Sequence, residues 1–180
     1  PPYYKLNKDD PQSKIMAKLV SGQPNIYTLF MALSASMLKK GGEMIFITPR
    51  SFCSGLYYKK FRRWLLKNSR IKHIHIFESR KEVFTNDAIL QENIILKAEK
   101  VEKEASDSSI LVSTSRNKYF EEYREFKVDT RDIIYHKNGD VFIRIPTSPL
   151  DVEVLRIVDS WPNILDDLQL KISTGPVIPF

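Results

Sequence analysis

One cysteine among 180 residues, Cys53, has no partner for an internal disulfide. That excludes a cystine-stapled secreted scaffold and suits a reducing compartment such as the cytosol. With no basic catalytic partner in view, Cys53 is not expected to act as a nucleophile either. Histidine is nearly as scarce: of three, His73 and His75 alternate along one stretch with no Cys or carboxylate cluster beside them, so a metal centre is not expected. No apolar run approaches the roughly 20 residues that span a bilayer. The first residues also lack the basic and apolar regions of a secretory signal. Glycine is sparse, at positions 22, 41, 42, 55, 139 and 175.

What is present is a globular composition, 42% hydrophobic and 11% aromatic, with a net charge of +6 and a pI near 9.3. That balance favours a polyanionic partner, nucleic acid first. The pattern of elements is α/β. The run "NIYTLFMALSASMLKKGG" predicts a helix over 25–39, capped by Asn25. Its apolar face would carry Ile26, Leu29, Phe30, Leu33, Met37 and Leu38, and Gly41-Gly42 would stop it. "EMIFITP" reads as a strand over 43–48 buried on both faces. "SGLYYKKFRRWLLKNS" predicts a helix over 56–67 with Leu56, Phe61, Trp64 and Leu65 inward, its basic residues, Lys59, Lys60, Arg62 and Arg63, forming a solvated face. Strands over 71–77 and 93–98 follow, joined by a loop with no crossover helix, so this last pair should be antiparallel. Beyond a polar stretch, "ILVST" reads as a strand. Asn138-Gly139 marks a hairpin, and "SPLDVEVLRIVDSWP" a helix capped by Ser148 with Pro149 at its first position.

The chain opens "PPYYK", and the order Pro-Pro-Tyr, helix to Gly-Gly, strand ending in Pro49, then "KEVFTND" between two strands resembles the gamma-type DNA adenine-N6 methyltransferases of restriction–modification systems. Their motif is Asn/Asp-Pro-Pro-Tyr/Phe, and this chain would start one residue inside it. The resemblance covers residues 1–98 and again the tail "ISTGPVIPF". It implies a partial Rossmann-like methyltransferase sheet with flanking helices. It also implies a division into 1–98, the catalytic half of the domain; 99–165, a connecting α+β segment; and 166–180, the entry to a target-recognition domain.

The resemblance further implies roles for single residues. The carbonyl of Pro1 would accept a hydrogen from the adenine amine, favouring a tetrahedral nitrogen whose lone pair faces the methyl group. Pro2 helps fix that geometry, and Tyr3 would stack on a base flipped out of the duplex. Phe84, in "KEVFTND", would face Tyr3 across the base. Lys5, Lys8 and Arg50 beside that site would contact phosphates. The cofactor would be S-adenosylmethionine, yet no glycine here follows a strand in the Gly-rich turn that the superfamily uses, so most of that site should be absent and the chain inactive alone. Partners would be double-stranded DNA, an upstream cofactor-binding half and a downstream recognition domain. No membrane partner is implied, and the location would be cytoplasmic. Two other readings stay open: a methyltransferase acting on protein glutamine or RNA, and a non-catalytic nucleic-acid-binding domain.

Overall fold

The computed structural model describes residues 4–7, 9–19, 25–79, 92–101, 109–165 and 167–173. Its centre is a five-stranded sheet built from β1 (Glu43–Pro49), β2 (Ser69–Phe77), β3 (Asn93–Lys100), β4 (Ser109–Ser115) and β5 (Arg124–Asp129), in the order β1-β3-β2-β4-β5. β3 runs antiparallel to both neighbours, with Ile74 opposite Leu96 and Phe46 opposite Leu96 on its other side. The expected antiparallel last pair is therefore present. β1 and β2, each opposed to β3, run in the same direction, and their connection carries a helix, α3 (Lys59–Asn68). β4 pairs parallel to β2 and β5 closes the edge antiparallel to β4, so the sheet runs on across residue 98.

α2 (Ile26–Met37) and α3 pack on one face of the sheet, over Met44, Ile74, Ile94, Leu96 and Val112. Asn25 caps α2 as expected, its Oδ1 accepting from the Tyr27 amide at 3.4 Å. The buried face of α2 differs from the one expected. Thr28, Met31, Ala32 and Ala35 point inward with Tyr27, whereas Phe30, Leu33 and Met37 are exposed, Met37 to 76%. Almost every position of this helix is apolar, so periodicity alone cannot choose the stripe. Leu29 joins a separate small cluster with Leu6.

Three further expectations need correction. β1 is not buried on both faces: Met44 and Thr48 point inward, but Ile45 on the other face is 65% exposed. Gly41 does adopt a left-handed φ of +75°, but α2 ends earlier, at an extended Leu38. Gly41 instead steers the chain into β1, with Gly41 N donating to Lys100 O and Lys100 N to Gly42 O. Leu56 is 76% exposed and belongs to a 3₁₀ turn, Leu56–Tyr58, ahead of α3.

The remaining elements are α1 (Pro11–Ile15), α4 (Thr130–Ile133), the hairpin β6 (Ile134–Lys137) and β7 (Asp140–Ile143), and α5 (Pro149–Asp159). Asn138 and Gly139 take φ values of 49° and 67° between the hairpin strands, the pair of positive angles that a type I′ turn requires. α5 starts with a full capping box between Ser148 and Asp151, behind Pro149.

Arg62 holds the hairpin to the sheet. Expected on a solvated face, it is fully buried. Its Nε donates to Val141 O at 2.5 Å, and one terminal nitrogen donates to Phe52 O at 3.1 Å and Gly55 O at 2.6 Å. The other lies 3.2 Å from the Asp140 carboxylate, and the guanidinium sits 5.2 Å from the Phe142 ring centroid. One side chain thus ties α3, the turn after β1 and the hairpin together. A planar five-donor fork suits such a site and an ammonium does not. Arg62→Ala takes the guanidinium from the Phe52, Gly55 and Val141 carbonyls and from Asp140, which keeps Lys59 Nζ at 3.9 Å, and is expected to cost about 3–5 kcal/mol in urea unfolding. Arg62→Lys should recover less than half of it. A loss below about 1 kcal/mol for Arg62→Ala would contradict this role.

Candidate functional site

Three stretches meet at the carboxyl end of β1 and β2. The first leads from Tyr4 to α2: Ile26 N donates to Tyr4 O at 2.8 Å, and Lys5 bridges Asn25 through the backbone. Leu6 anchors it against Leu29. The second is the 3₁₀ turn Arg50–Cys53, which follows Pro49 and touches the start of α2 where Tyr27 Oη lies 3.2 Å from Ser51 Oγ. The third is the pair of stems of the 80–91 segment. Glu78 N and Ser79 N donate to Ser115 O and Arg116 O on one side. On the other, Arg50 N donates to Glu92 O at 2.9 Å and the Arg50 and Glu92 side chains form an ion pair. That clamp fixes where the 80–91 segment returns to the sheet.

Pro1, Pro2, Tyr3, Lys8 and Phe84 lie outside the described residues. Lys5 is exposed on the first stem. Arg50 stands at the mouth of the site, but its guanidinium is engaged by Glu92, leaving the side chain partly exposed. Sequence reasoning passed over Glu92 because a carboxylate at a loop end carries no pattern of its own. Cys53 is buried, and burial pushes its thiol well above the ordinary range, as expected of a group with no nucleophilic role.

Beside the Arg50 turn opens a cleft of about 1030 Å³ between that turn, the β6–β7 hairpin and α5. Tyr135 and Phe142 give it aromatic walls, and Arg50, Lys137 and Arg144 give it positive charge. Arg144 is held in place: its guanidinium lies 3.5 Å from the Tyr135 ring centroid and makes two bonds to Asp159, at 2.5 and 2.6 Å. The Asp159 carboxyl is held below its usual range by that contact.

The opposite face of the sheet carries a directed hydrogen-bond chain. His73 Nε2 lies 2.7 Å from Ser113 Oγ, Ser113 Oγ 2.8 Å from His75 Nδ1, and His75 Nε2 3.0 Å from Ser115 Oγ. Ser115 Oγ donates to Asn117 O at 3.0 Å, so it accepts from His75 Nε2–H. A neutral His75 must then accept at Nδ1 from Ser113, which accepts from His73. Phe77, Phe120 and Tyr123 enclose the His75 ring. Phe120 and Glu122 hold left-handed φ values of 60° and 54° in the turn that brings those rings over. Among the described residues, no three His, Cys, Asp or Glu side chains come together to hold a metal.

Among the described residues, no glycine builds the Gly-rich turn after a central strand that would hold S-adenosylmethionine. The two left-handed glycines are Gly41, ahead of β1, and Gly139, in the hairpin turn. Neither follows the carboxyl end of a strand in the central sheet. A Cβ at Gly55 would meet Ser51 O at 2.7 Å, so that glycine serves a tight turn and opens no cradle.

The mixed α/β fold recurs in a solved structure. A protein from Vibrio vulnificus described as the modification subunit of a type I restriction enzyme superposes with a TM-score of 0.60, over 86% of this chain and 38% of that one, at 14% identity. Residues 1–84 match the family Eco57I restriction-modification methylase. The chain is similar along its whole length to the Type II methyltransferase M.BsuBI of Bacillus subtilis, at 35% identity over 183 residues. It is likewise similar to the Type II methyltransferase M.PstI of Providencia stuartii, at 36% over 180 residues. In both cases it spans 35% of the relative's length.

The histidine chain sets a pH dependence. Burial pushes His75 down to about 4 and lowers His73 as well. The unfolded chain therefore takes up these protons first, and stability should fall as pH drops from about 6.5 to 4, by ~1–3 kcal/mol. Asp129, Asp151 and Asp159, all lowered in the fold, lose their contributions only below that window. Urea titrations across it should show the slope, and His75→Gln should flatten it. An unchanged slope in that variant would contradict the assignment.

Proposed function

We propose that this chain is the base-presenting part of a DNA methyltransferase that modifies the N6 amine of adenine in duplex DNA. The supporting observation is geometric. The stretch that follows Pro1-Pro2-Tyr3 and both stems of the segment that contains Phe84 leave the same end of the sheet, next to the Arg50 turn. On this reading the extruded adenine is sandwiched between Tyr3 and Phe84, and the Pro1 carbonyl accepts one of its amino hydrogens. That bond withdraws the nitrogen lone pair from the ring and aims it at the methyl group. Lys5, Lys8 and Arg50 touch phosphates on either side of the flipped nucleotide, which positions the duplex and carries no sequence information.

The methyl donor is S-adenosylmethionine, held by residues outside these 180. The other partners are an upstream cofactor-binding half and a downstream recognition domain, and the protein works in the cytoplasm. β1 offers an open edge and α2 an uncovered apolar face, with Phe30, Leu33, Met37 and Ile45 exposed, which suits a sheet that continues on that side. Among the described residues no helix is long and apolar enough to cross a membrane.

In the full-length protein, Tyr3→Ala and Phe84→Ala should each slow methyl transfer roughly 5- to 150-fold, the equivalent of about 1–3 kcal/mol of stacking, with little change in unfolding midpoint. Rates equal to wild type, or a collapse of stability on losing Phe84, would contradict the slot. Calorimetry on the 180-residue chain alone should detect no binding of S-adenosylmethionine. Micromolar affinity would contradict the placement of the donor site.

A further inference from the structure

We propose that a second groove, at the amino end of β2, binds the phosphodiester backbone of duplex DNA. The inference rests on the DNA reading above and extends it to a surface away from the catalytic loops. The groove, about 1190 Å³, lies between α3, the start of β2, the end of β3 and the β6–β7 turn. Arg63, Lys67, Arg70, Lys100, Arg131 and Lys137 line it. The one carboxylate in its wall, Asp140, is committed to Arg62. Among the described residues, Arg63 and Lys67 form no ion pair.

Two polar atoms point to a ligand that supplies acceptors. Ser69 is 2% exposed, yet its Oγ is buried without a hydrogen-bond partner, and so is Arg70 Nε. Both residues line the groove. A buried donor without an acceptor is costly, and a phosphate bound above them would supply acceptors once the floor of the groove opened slightly.

A polymer fits better than a single small anion. Lys137 lines this groove and also the cleft beside Arg50 and Arg144, so the two surfaces meet at the hairpin. A strand of nine residues such as β2 spans about 26 Å. At one phosphate per ~3.4 Å of axis on each strand, that length runs beside about eight base pairs of duplex, of whose phosphates only those on the near side face the protein. Contacts of this kind position the duplex and leave the chemical step alone.

The test compares wild type, the double variant Arg63→Glu/Lys67→Glu and the control Lys127→Glu, all in the full-length protein. The probe is a fluorescent 30-base-pair duplex that the enzyme does not methylate. The double variant should bind at least about tenfold more weakly at 50 mM salt. Its plot of log K against log salt should be shallower by about 2, because two phosphates are no longer neutralised, and its kcat on saturating substrate duplex should be unchanged. Affinity and slope equal to wild type, or an equal loss in the Lys127→Glu control, would overturn the proposal. Displacement of the duplex by inorganic phosphate at matched ionic strength would also overturn it, in favour of a small-anion site. Methyl transfer without any slope change removes the groove alone, whereas failure of wild type to bind any duplex removes the DNA reading with it.

Discussion

Burying Arg62 constrains everything around it. A guanidinium with no exposed surface needs acceptors, and it finds them on two separate pieces of chain: Phe52 and Gly55 after β1, and the Asp140 carboxylate and Val141 carbonyl in β7. The turn after β1 therefore cannot shift without breaking its bonds to the hairpin. The Arg50–Glu92 clamp starts from that same turn, so the return of the 80–91 segment inherits its position from Arg62. The cleft and the basic groove lie on either side of the hairpin, and both exist because the hairpin is fixed there.

Much of this was legible in the sequence. Asn25, Ser148 with Pro149, and Asn138-Gly139 each name a local geometry through side-chain or backbone chemistry, and each is found as read. The antiparallel pairing of β2 and β3 followed from reading "ESRKEVFTNDAILQE" as a loop. The pairing of β4 with β2 did not, because nothing local in "ILVST" says which edge of a sheet it will join. The buried stripe of α2 escapes sequence reasoning for a related reason. A helix apolar on every side lets tertiary context choose the stripe, and the context chose Thr28, Met31, Ala32 and Ala35 over the larger Phe30, Leu33 and Met37.

The candidate site divides along the same line. Pro1, Pro2, Tyr3 and Phe84 are named from sequence by resemblance to a family motif, and they lie outside the described residues. The residues that build the frame cannot be named this way: Arg62 sits in a run of four basic residues that reads as solvent-facing, and Glu92 is one carboxylate among many. The His73–Ser113–His75–Ser115 chain joins residues 40 apart in sequence. Only strand pairing in three dimensions brings them together.

The central claim is that this fold presents an adenine amine for methylation. The most direct measurement is nucleoside mass spectrometry on DNA from a methylation-free host that expresses the full-length protein. The account predicts N6-methyladenine in that DNA and its absence from DNA of the host without the gene. No modified base, or N4-methylcytosine in place of N6-methyladenine, would contradict it.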